Sequence, residues 1–214
     1  MEYTFFSDAS LIKGVNIPKS QVGFRKMCKI CDAAETLFGE KGFYETSVAD
    51  ICSLAKTAVG TFYIYFQDKT AIYHYLVWNY YVAINSNLNK HIKNCKTRFE
   101  MEREGLKAFI RFGHAHPQCY KIIWGSSYID PALFEVYYTR FAKSYIAALK
   151  KFGEELIDVD YSIAAWFLMG VANFIGLKII FDHKRRLSEK EVDFLVDEVM
   201  KLLSRGLFSK PKTE

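Results

Sequence analysis

The stretch from Thr46 to Lys69, TSVADICSLAKTAVGTFYIYFQDK, gathers the side chains best suited to a nucleic acid. Thr61 carries a hydroxyl and a methyl, the pair that fits a phosphate oxygen or a thymine methyl. Tyr63 and Tyr65 offer phenols that reach phosphates or base edges, and Lys69 offers a point charge. Val59 stands beside them. Gly60 has no side chain to hold the backbone away from a groove, although glycine weakens a helix by about 1 kcal/mol against alanine. Such chemistry needs two short helices. Ser47 followed by Asp50 is a capping box that starts a helix at Val48, and Val48, Ile51, Cys52 and Ala55 make its apolar stripe. Lys56 and Thr57 interrupt that stripe. Thr57 can cap a second helix from Ala58, anchored by Phe62 and Phe66. Two such helices joined by a tight turn are a helix-turn-helix, whose second helix enters the major groove.

Other chemistries find no footing. There is no G-x-S-x-G, no glycine-rich phosphate loop and no paired zinc-ligand spacing. Cys28 and Cys31 form a C-x-x-C, but inside a helical stretch with no second pair and no adjacent histidine, which makes them ordinary helix residues with Cys31 inward. His114 and His116 are two apart, hence on different faces of a helix. No enzyme activity, metal or cofactor is expected. The five cysteines are an odd number, and MEYTFFSDAS lacks the basic and apolar regions of a secretory signal, which points to a reducing cytoplasm.

With 50% hydrophobic and 25% charged residues, 4 prolines and 12 glycines, the 214-residue chain reads as an all-α protein with ample core. Its net charge of +5 is a poor guide to DNA binding. Residues 1–70 hold 8 Lys/Arg and 8 Asp/Glu, so the excess lies beyond them. Affinity must come from local placement: Lys19, Arg25, Lys26 and Lys29 near the first helix start, then Lys56 and Lys69.

The run T-S-V-A-D-I-C…A…V-G-T-F-Y-I-Y-F-x-x-K resembles the DNA-binding domain of TetR-family transcriptional regulators, from about Arg25 to Tyr75. Three positions depart from the family pattern: Lys56 replaces the turn glycine, Ala58 the capping serine, and Cys52 an alanine. The resemblance implies an N-terminal three-helix helix-turn-helix domain joined to a larger helical ligand-binding and dimerisation domain. It also implies DNA contacts from Ser47, Lys56, Thr57, Ala58, Val59, Gly60, Thr61, Tyr63, Tyr65 and Lys69. The expected divisions are an N-terminal extension at 1–20, the DNA-binding domain at 21–68 and the helical body at 69–210.

Along the chain, the first helix runs from about Val22 to Lys41 with Gly42 as its stop. Asp68 caps a long helix from Lys69 to about Asn94, which in the family joins head to body. Further helices are expected at 100–115, 117–128 and, from the Asp130-Pro131 start signal, 131–152. Tyr161 to Leu177 is an uncharged run of 17 residues, close to membrane-spanning length. Its internal Ser162, Gly170, Asn173 and Gly176, and the lack of a second such segment, favour a helix buried between its own domain and a partner. Ser188 and Glu191 cap a last helix reaching Arg205, with Gly206 as C-cap. In the family the last two helices of each subunit form a four-helix dimer bundle, which implies a homodimer.

The body is rich in aromatics, and Phe109, Phe112, His116, Tyr120, Trp124, Tyr128, Tyr138, Trp166 and Phe174 are the candidate lining of an effector pocket. Between Glu104 and Asp130 there is no carboxylate, while Lys107, Arg111, His114, His116 and Lys121 fall there. A neutral or anionic lipophile is therefore the expected effector. The function read from the sequence is a cytoplasmic transcriptional repressor that binds a double-stranded DNA operator and is released by such a ligand, without a membrane. The alternative is a helical small-molecule-binding protein that has lost operator recognition.

Overall fold

The computed structural model describes residues 13–181 and 187–205; the expected Gly206 cap and the tail beyond it lie outside them, as do residues 1–12. The described residues are helical almost throughout: α1 Gln21–Glu40, α2 Val48–Leu54, α3 Val59–Tyr65, α4 Lys69–Ile92, α5 Arg98–Ala115, α6 Pro117–Ile129, α7 Pro131–Lys150, a short 3-10 turn Gly153–Glu155, α8 Tyr161–Phe181 and α9 Glu189–Arg205. Side-chain caps fix most of the starts. Ser20 Oγ accepts from Gly23 N, Ser47 and Asp50 form the anticipated capping box, and Thr97 with Glu100 forms another that starts α5 two residues before its expected position. Asp68 Oδ1 accepts from Ala71 N at 2.8 Å, Asp130 Oδ1 from Leu133 N at 3.1 Å, and Glu191 Oε2 from Ser188 N at 2.9 Å.

The chain forms two compact units. One comprises residues up to Ala83 together with Pro117–Arg140; the other comprises Ile84–His116 and the chain from Phe141 onward. In the first unit, α1 packs on α2, α3 and α6 around Met27, Ile30, Cys31, Ala34, Phe38, Ile51, Phe62 and Phe66, all buried. Helix α6 reaches α1 through a glycine. A Cβ on Gly39 would lie 2.0 Å from Gln118 Oε1, so only a bare backbone admits the Gln118 side chain there. Lys121 Nζ donates to Gly39 O at 2.7 Å, placing a cation on the carbonyl end of α1 where the helix dipole favours one. Tyr80 Oη donates to Glu35 Oε1 at 2.6 Å, and Tyr73 Oη donates to Ile122 O. Helix α6 is thereby tied to both α1 and α4.

In the second unit, α5 packs against α8 and α9 over Leu106, Ile110, Ile179, Val192, Val196, Val199 and Met200. The same pair α5 and α9 carries an antiparallel row of ion pairs. Arg103 donates through Nε (3.1 Å) and Nη2 (2.9 Å) to Asp197 Oδ1, Lys107 pairs with Asp193, and Arg111 pairs with Glu189. Both helices space these residues by four, so each turn of α5 meets one turn of α9. The Lys107 ammonium holds the Asp193 carboxyl below the usual carboxylate range. Deeper in this unit, Arg98 is buried, pairs with Glu102 and lies over the Tyr145 ring, while Tyr145 Oη donates to Glu102 Oε2 at 2.5 Å.

Helix α8 shows two faces. Ala165, Met169, Gly176 and Ile179 are buried, and small residues at that seam allow close approach. Ile163, Phe167, Phe174 and Phe181 on the rest of the helix are each at least 60% exposed, and Trp166 is 46% exposed. Helix α9 adds exposed Phe194 and Leu202. By length and composition α8 could cross a membrane.

Candidate nucleic-acid interface

The turn between α2 and α3 is a Schellman motif. Thr57 N donates to Cys52 O at 3.0 Å and Lys56 N to Ser53 O at 3.2 Å, which satisfies the last carbonyls of α2. The motif requires a left-handed residue at Lys56, whose φ is +52°. Glycine adopts that conformation without cost; a lysine pays about 1 kcal/mol or more. Among the described residues no other non-glycine has positive φ.

Helix α3 begins at Val59 with Ala58 as its N-cap and no side-chain cap bond, so the expectation of a Thr57 cap and a start at Ala58 is corrected. The shift follows from the Schellman turn, which engages Thr57 as the residue closing α2. On α3, Phe62 and Phe66 are fully buried as anchors. Tyr65 is buried as well, at 5% exposure, and cannot reach DNA as expected. Tyr65 and Phe66 stand three and four residues after Phe62, which puts all three on the inward face, a signal that helical periodicity carries but the tyrosine's polarity masks. Ile64 is exposed in its place. The outward face is therefore Val59, Gly60, Thr61, Tyr63 and Ile64, with Tyr63 54% exposed. A Cβ on Gly60 would meet nothing within 4 Å, so nothing inside the protein requires a glycine there.

Lys69 has an internal task. Its Nζ donates to Phe43 O and Thr46 O, both at 2.7 Å, and lies 4.4 Å from the centre of the Phe43 ring. Burial depresses its pKa. The ammonium binds the loop ahead of α2 to the start of α4, which makes Lys69 a brace for the domain before anything else. Ser47 is likewise occupied, with its Oγ donating to Asp50 Oδ2 at 2.7 Å and accepting from Asp50 N at 3.1 Å. Those cap bonds hold the Asp50 carboxyl below its ordinary range.

A contact absent from the sequence reading secures the far end of α3. Asn16 Nδ2 donates to Ile64 O at 3.0 Å and Asn16 N to Tyr65 O at 2.7 Å, while Gln67 N donates to Gly14 O at 2.8 Å. Val15 forms an isolated bridge with Phe66. Gly14, at φ +75°, lets the arm lie close over Gln67 and Ala71. An asparagine ahead of the first helix carries no local pattern that points to a partner 48 residues away.

Between α1 and the turn lies an open cleft of about 560 Å³, lined by Lys26, Lys29, Asp32, Ala33 and Thr36 from α1 and by Leu54, Ala55, Lys56, Thr57 and Thr61 from the turn region. Thr61 belongs to both the cleft and the outward face of α3.

The candidate effector residues are divided between the two units. Tyr120, Trp124 and Tyr138 join an aromatic group in the first unit: Trp124 packs on Phe134, Phe134 on Tyr138, Tyr138 on Tyr137, Tyr137 on Tyr81 and Tyr81 on Trp78. Arg140 lies 5.3 Å over the Trp78 ring, and Trp78 Nε1 is buried without an acceptor among the described residues. Burial pushes the Tyr120, Tyr137 and Tyr138 phenols well above their ordinary range, which keeps them neutral donors. Phe109, Phe112 and His116 belong to α5 in the second unit, where Phe112 and His116 stack at 4.6 Å. Trp166 and Phe174 lie on the open face of α8, and Tyr128 is 85% exposed, so these three wall no enclosed pocket within their own unit. Four of the basic residues expected to attract an anionic effector have internal partners. Lys107 and Arg111 are paired with α9, His114 Nε2 accepts from Leu187 N at 3.3 Å, and Lys121 holds α1.

Residues 30–76 match the family model described as bacterial regulatory proteins, tetR family. That segment is similar to the DNA-binding domain of the tetR family. The chain is 45% identical over 56 residues to YvdT of Bacillus subtilis, described as an uncharacterized HTH-type transcriptional regulator, covering 26% of this chain and 28% of that protein. It is 29% identical over 107 residues to YttP of the same organism, described as a probable HTH-type transcriptional regulator, covering 49% and 52%. The chain thus spans about half the length, or less, of these curated relatives. Solved structures of the same fold include the fatty acid degradation regulator FadR from Bacillus halodurans, at TM-score 0.73 and 17% identity, covering 90% of this chain and 100% of that one. FadR from Bacillus subtilis, solved in complex with stearoyl-CoA, has TM-score 0.68 and 16% identity, covering 85% and 100%.

Proposed function

We propose that this chain is a homodimeric, cytoplasmic transcriptional repressor that leaves its operator when a lipophilic effector binds. The observation that carries the DNA-binding part is the outward face of α3. Val59, Gly60, Thr61 and Tyr63 are turned out by an inward row of Phe62, Tyr65 and Phe66, with Asn16 fixing the helix end. No described residue covers Val59, Gly60 or Tyr63, and the hydroxyls and methyls of this face fit base edges and phosphates. Two such helices in a dimer would enter successive major grooves about 34–36 Å apart, or a multiple of that spacing.

The dimer reading rests on α8 and α9. Helix α8 exposes an apolar face, and α9 of the same unit exposes Phe194 and Leu202. Exposed Glu189, Lys190, Asp197, Glu198 and Lys201 on α9 would be costly in a hydrocarbon layer, so a second copy fits this surface better than a bilayer does.

For the effector, the aromatic group around Trp78, Tyr120, Trp124 and Tyr138 offers apolar walls with neutral donors. The unpartnered Trp78 indole and the Arg140 guanidinium suit a ligand that carries an acceptor or a negative charge. Similarity in fold to a regulator solved with stearoyl-CoA supports an acyl or aromatic acid. Release then follows if the effector binds more tightly to a conformer with the wrong half-site spacing.

Titration of the chain's own upstream DNA tests this reading. Tyr63→Ala and Thr61→Ala should each weaken operator binding by roughly tenfold, the order expected for one base-reading contact, with dimerisation and thermal midpoint unchanged. Full affinity in both variants would remove the outward face of α3 from the interface.

A further inference from the structure

The residue types on α3 restrict what it can read. The helix, VGTFYIY, contains no arginine, lysine, asparagine, glutamine, aspartate or glutamate, and its N-cap Ala58 adds only a methyl. Those missing side chains are the ones that pair with base edges through charged or amide groups: Arg or Lys with guanine, Asn or Gln with adenine, Asp or Glu with cytosine. None of these recognitions can start from α3. What the helix exposes instead is apolar, with Val59 at 45% and Ile64 at 57% exposure on either side of the Tyr63 phenol and the Thr61 methyl.

The geometry of that face is a second observation. At about 100° per residue, the outward positions span one arc with Gly60 at its middle, Val59 and Tyr63 on one flank, and Thr61 and Ile64 on the other. A Cβ at the middle would enter open space, so the centre line of the arc is bare backbone between branched side chains. A surface can therefore come close to the helix and meet methyl groups on both flanks. Local folding gives no reason for those residues, because β-branched side chains form helices less readily than alanine and neither Val59 nor Ile64 adds to the core. Ile64 is nevertheless held in place, since Asn16 Nδ2 donates to its carbonyl at 3.0 Å.

On the footing of the DNA-binding role proposed above, we propose that α3 reads thymine C5-methyl groups, with Ile64 and Val59 as the reading side chains, and that the half-site beneath it is rich in A·T pairs. Thymine is the one standard base that presents a methyl in the major groove, and apolar side chains are its natural partners there. The Thr61 and Tyr63 hydroxyls add a hydrogen bond to thymine O4 or to a phosphate. A half-site of G·C pairs would give this face little to hold, because cytosine lacks the methyl and the guanine acceptors would meet no cation or amide from α3. Ile64 thereby takes the specificity-determining place that the buried Tyr65 cannot fill.

The test takes duplexes selected from a random pool by the full chain and resynthesises them with deoxyuridine in place of each thymine in turn. That change deletes the C5-methyl and keeps every hydrogen-bonding group. Selected half-sites should be enriched in thymine. By fluorescence anisotropy, each substitution under α3 should weaken binding about fourfold, the worth of one buried methyl-sized group. Val59→Ala and Ile64→Ala should each weaken binding to the thymine duplex by a similar factor. Each variant should also lose the deoxyuridine response at one position and keep it at the others. Both side chains are exposed, so the thermal midpoints should not fall. Deoxyuridine responses that persist at every position in both variants would trace the effect to duplex deformability and overturn methyl reading. Selected half-sites without thymine enrichment, or uracil duplexes bound as tightly as thymine ones, would overturn it too. In each of those cases a loss of affinity in Tyr63→Ala would leave the α3 interface standing. A selection that returns no bound duplex would overturn both readings.

Discussion

The two units withhold opposite things. In the unit that holds the helix-turn-helix, apolar side chains are spent on the core and three lysines form no ion pair among the described residues: Phe62, Tyr65 and Phe66 are buried while Lys26, Lys29 and Lys56 stand exposed. In the other unit Arg103, Lys107 and Arg111 of α5 are spent on the α5–α9 ion-pair row, and apolar surface is left out along α8. A surface that keeps its charge unpaired is prepared for a hydrated polyanion. A surface that neutralises its charge and exposes Ile163, Phe167, Phe174 and Phe181 is prepared for a dry contact with protein. Net charge by segment gives the reverse impression, because the positive excess of the sequence lies beyond residue 70. Pairing decides, and counting does not.

The strongest blow to this contrast would come at α8. Phe167→Glu puts a charge into the middle of the exposed apolar face, and the expected outcome is a monomer by sedimentation velocity at concentrations where the wild type is dimeric, with operator binding lost alongside. An unchanged oligomeric state would show that the face serves something else. Next comes the ion-pair row. Lys107 is mostly covered, so Lys107→Glu opposite Asp193 should lower the thermal midpoint by several degrees, and adding Asp193→Lys should restore most of it. Neither variant should alter the salt dependence of DNA binding.

Lys69→Met should cost about 1–2 kcal/mol in urea denaturation, since it strips the donor from Phe43 O and Thr46 O. A lysine spent in this way belongs with those of α5, and its loss should leave the salt slope intact once the protein is folded. The smallest effect is at Gly60. Because a Cβ there enters open space, Gly60→Ala should raise stability by up to about 1 kcal/mol. Any loss of operator affinity in that variant would then measure how closely DNA approaches the helix.

Much of the architecture was legible because capping and periodicity are local. Ser47 with Asp50, Asp130 with Pro131 and Ser188 with Glu191 each mark a helix start within a few residues of the observed one. The positive φ at Lys56 was also legible, from the family position it occupies. Tyr65 was misplaced because residue polarity was allowed to outweigh helical spacing. The fate of Lys107 and Arg111 could not be read in the same way. Their partners on α9 repeat every four residues as they do, but only the packing of α5 on α9 sets the two rows in register. Trp166 and Phe174 were ambiguous for a different reason. In a helix apolar on all sides there is no polar face to say which way is out.

The short arm over α3 has a practical consequence. Gly14 and Asn16 are bonded to the end of α3 and to Gln67 beyond it, so the chain ahead of α1 is a handle on that helix. A protease that cuts just before Ser20 would remove the handle while leaving every helix whole. A domain fused upstream could pull on it, making the arm a place to install an artificial input that acts on DNA binding without passing through the effector.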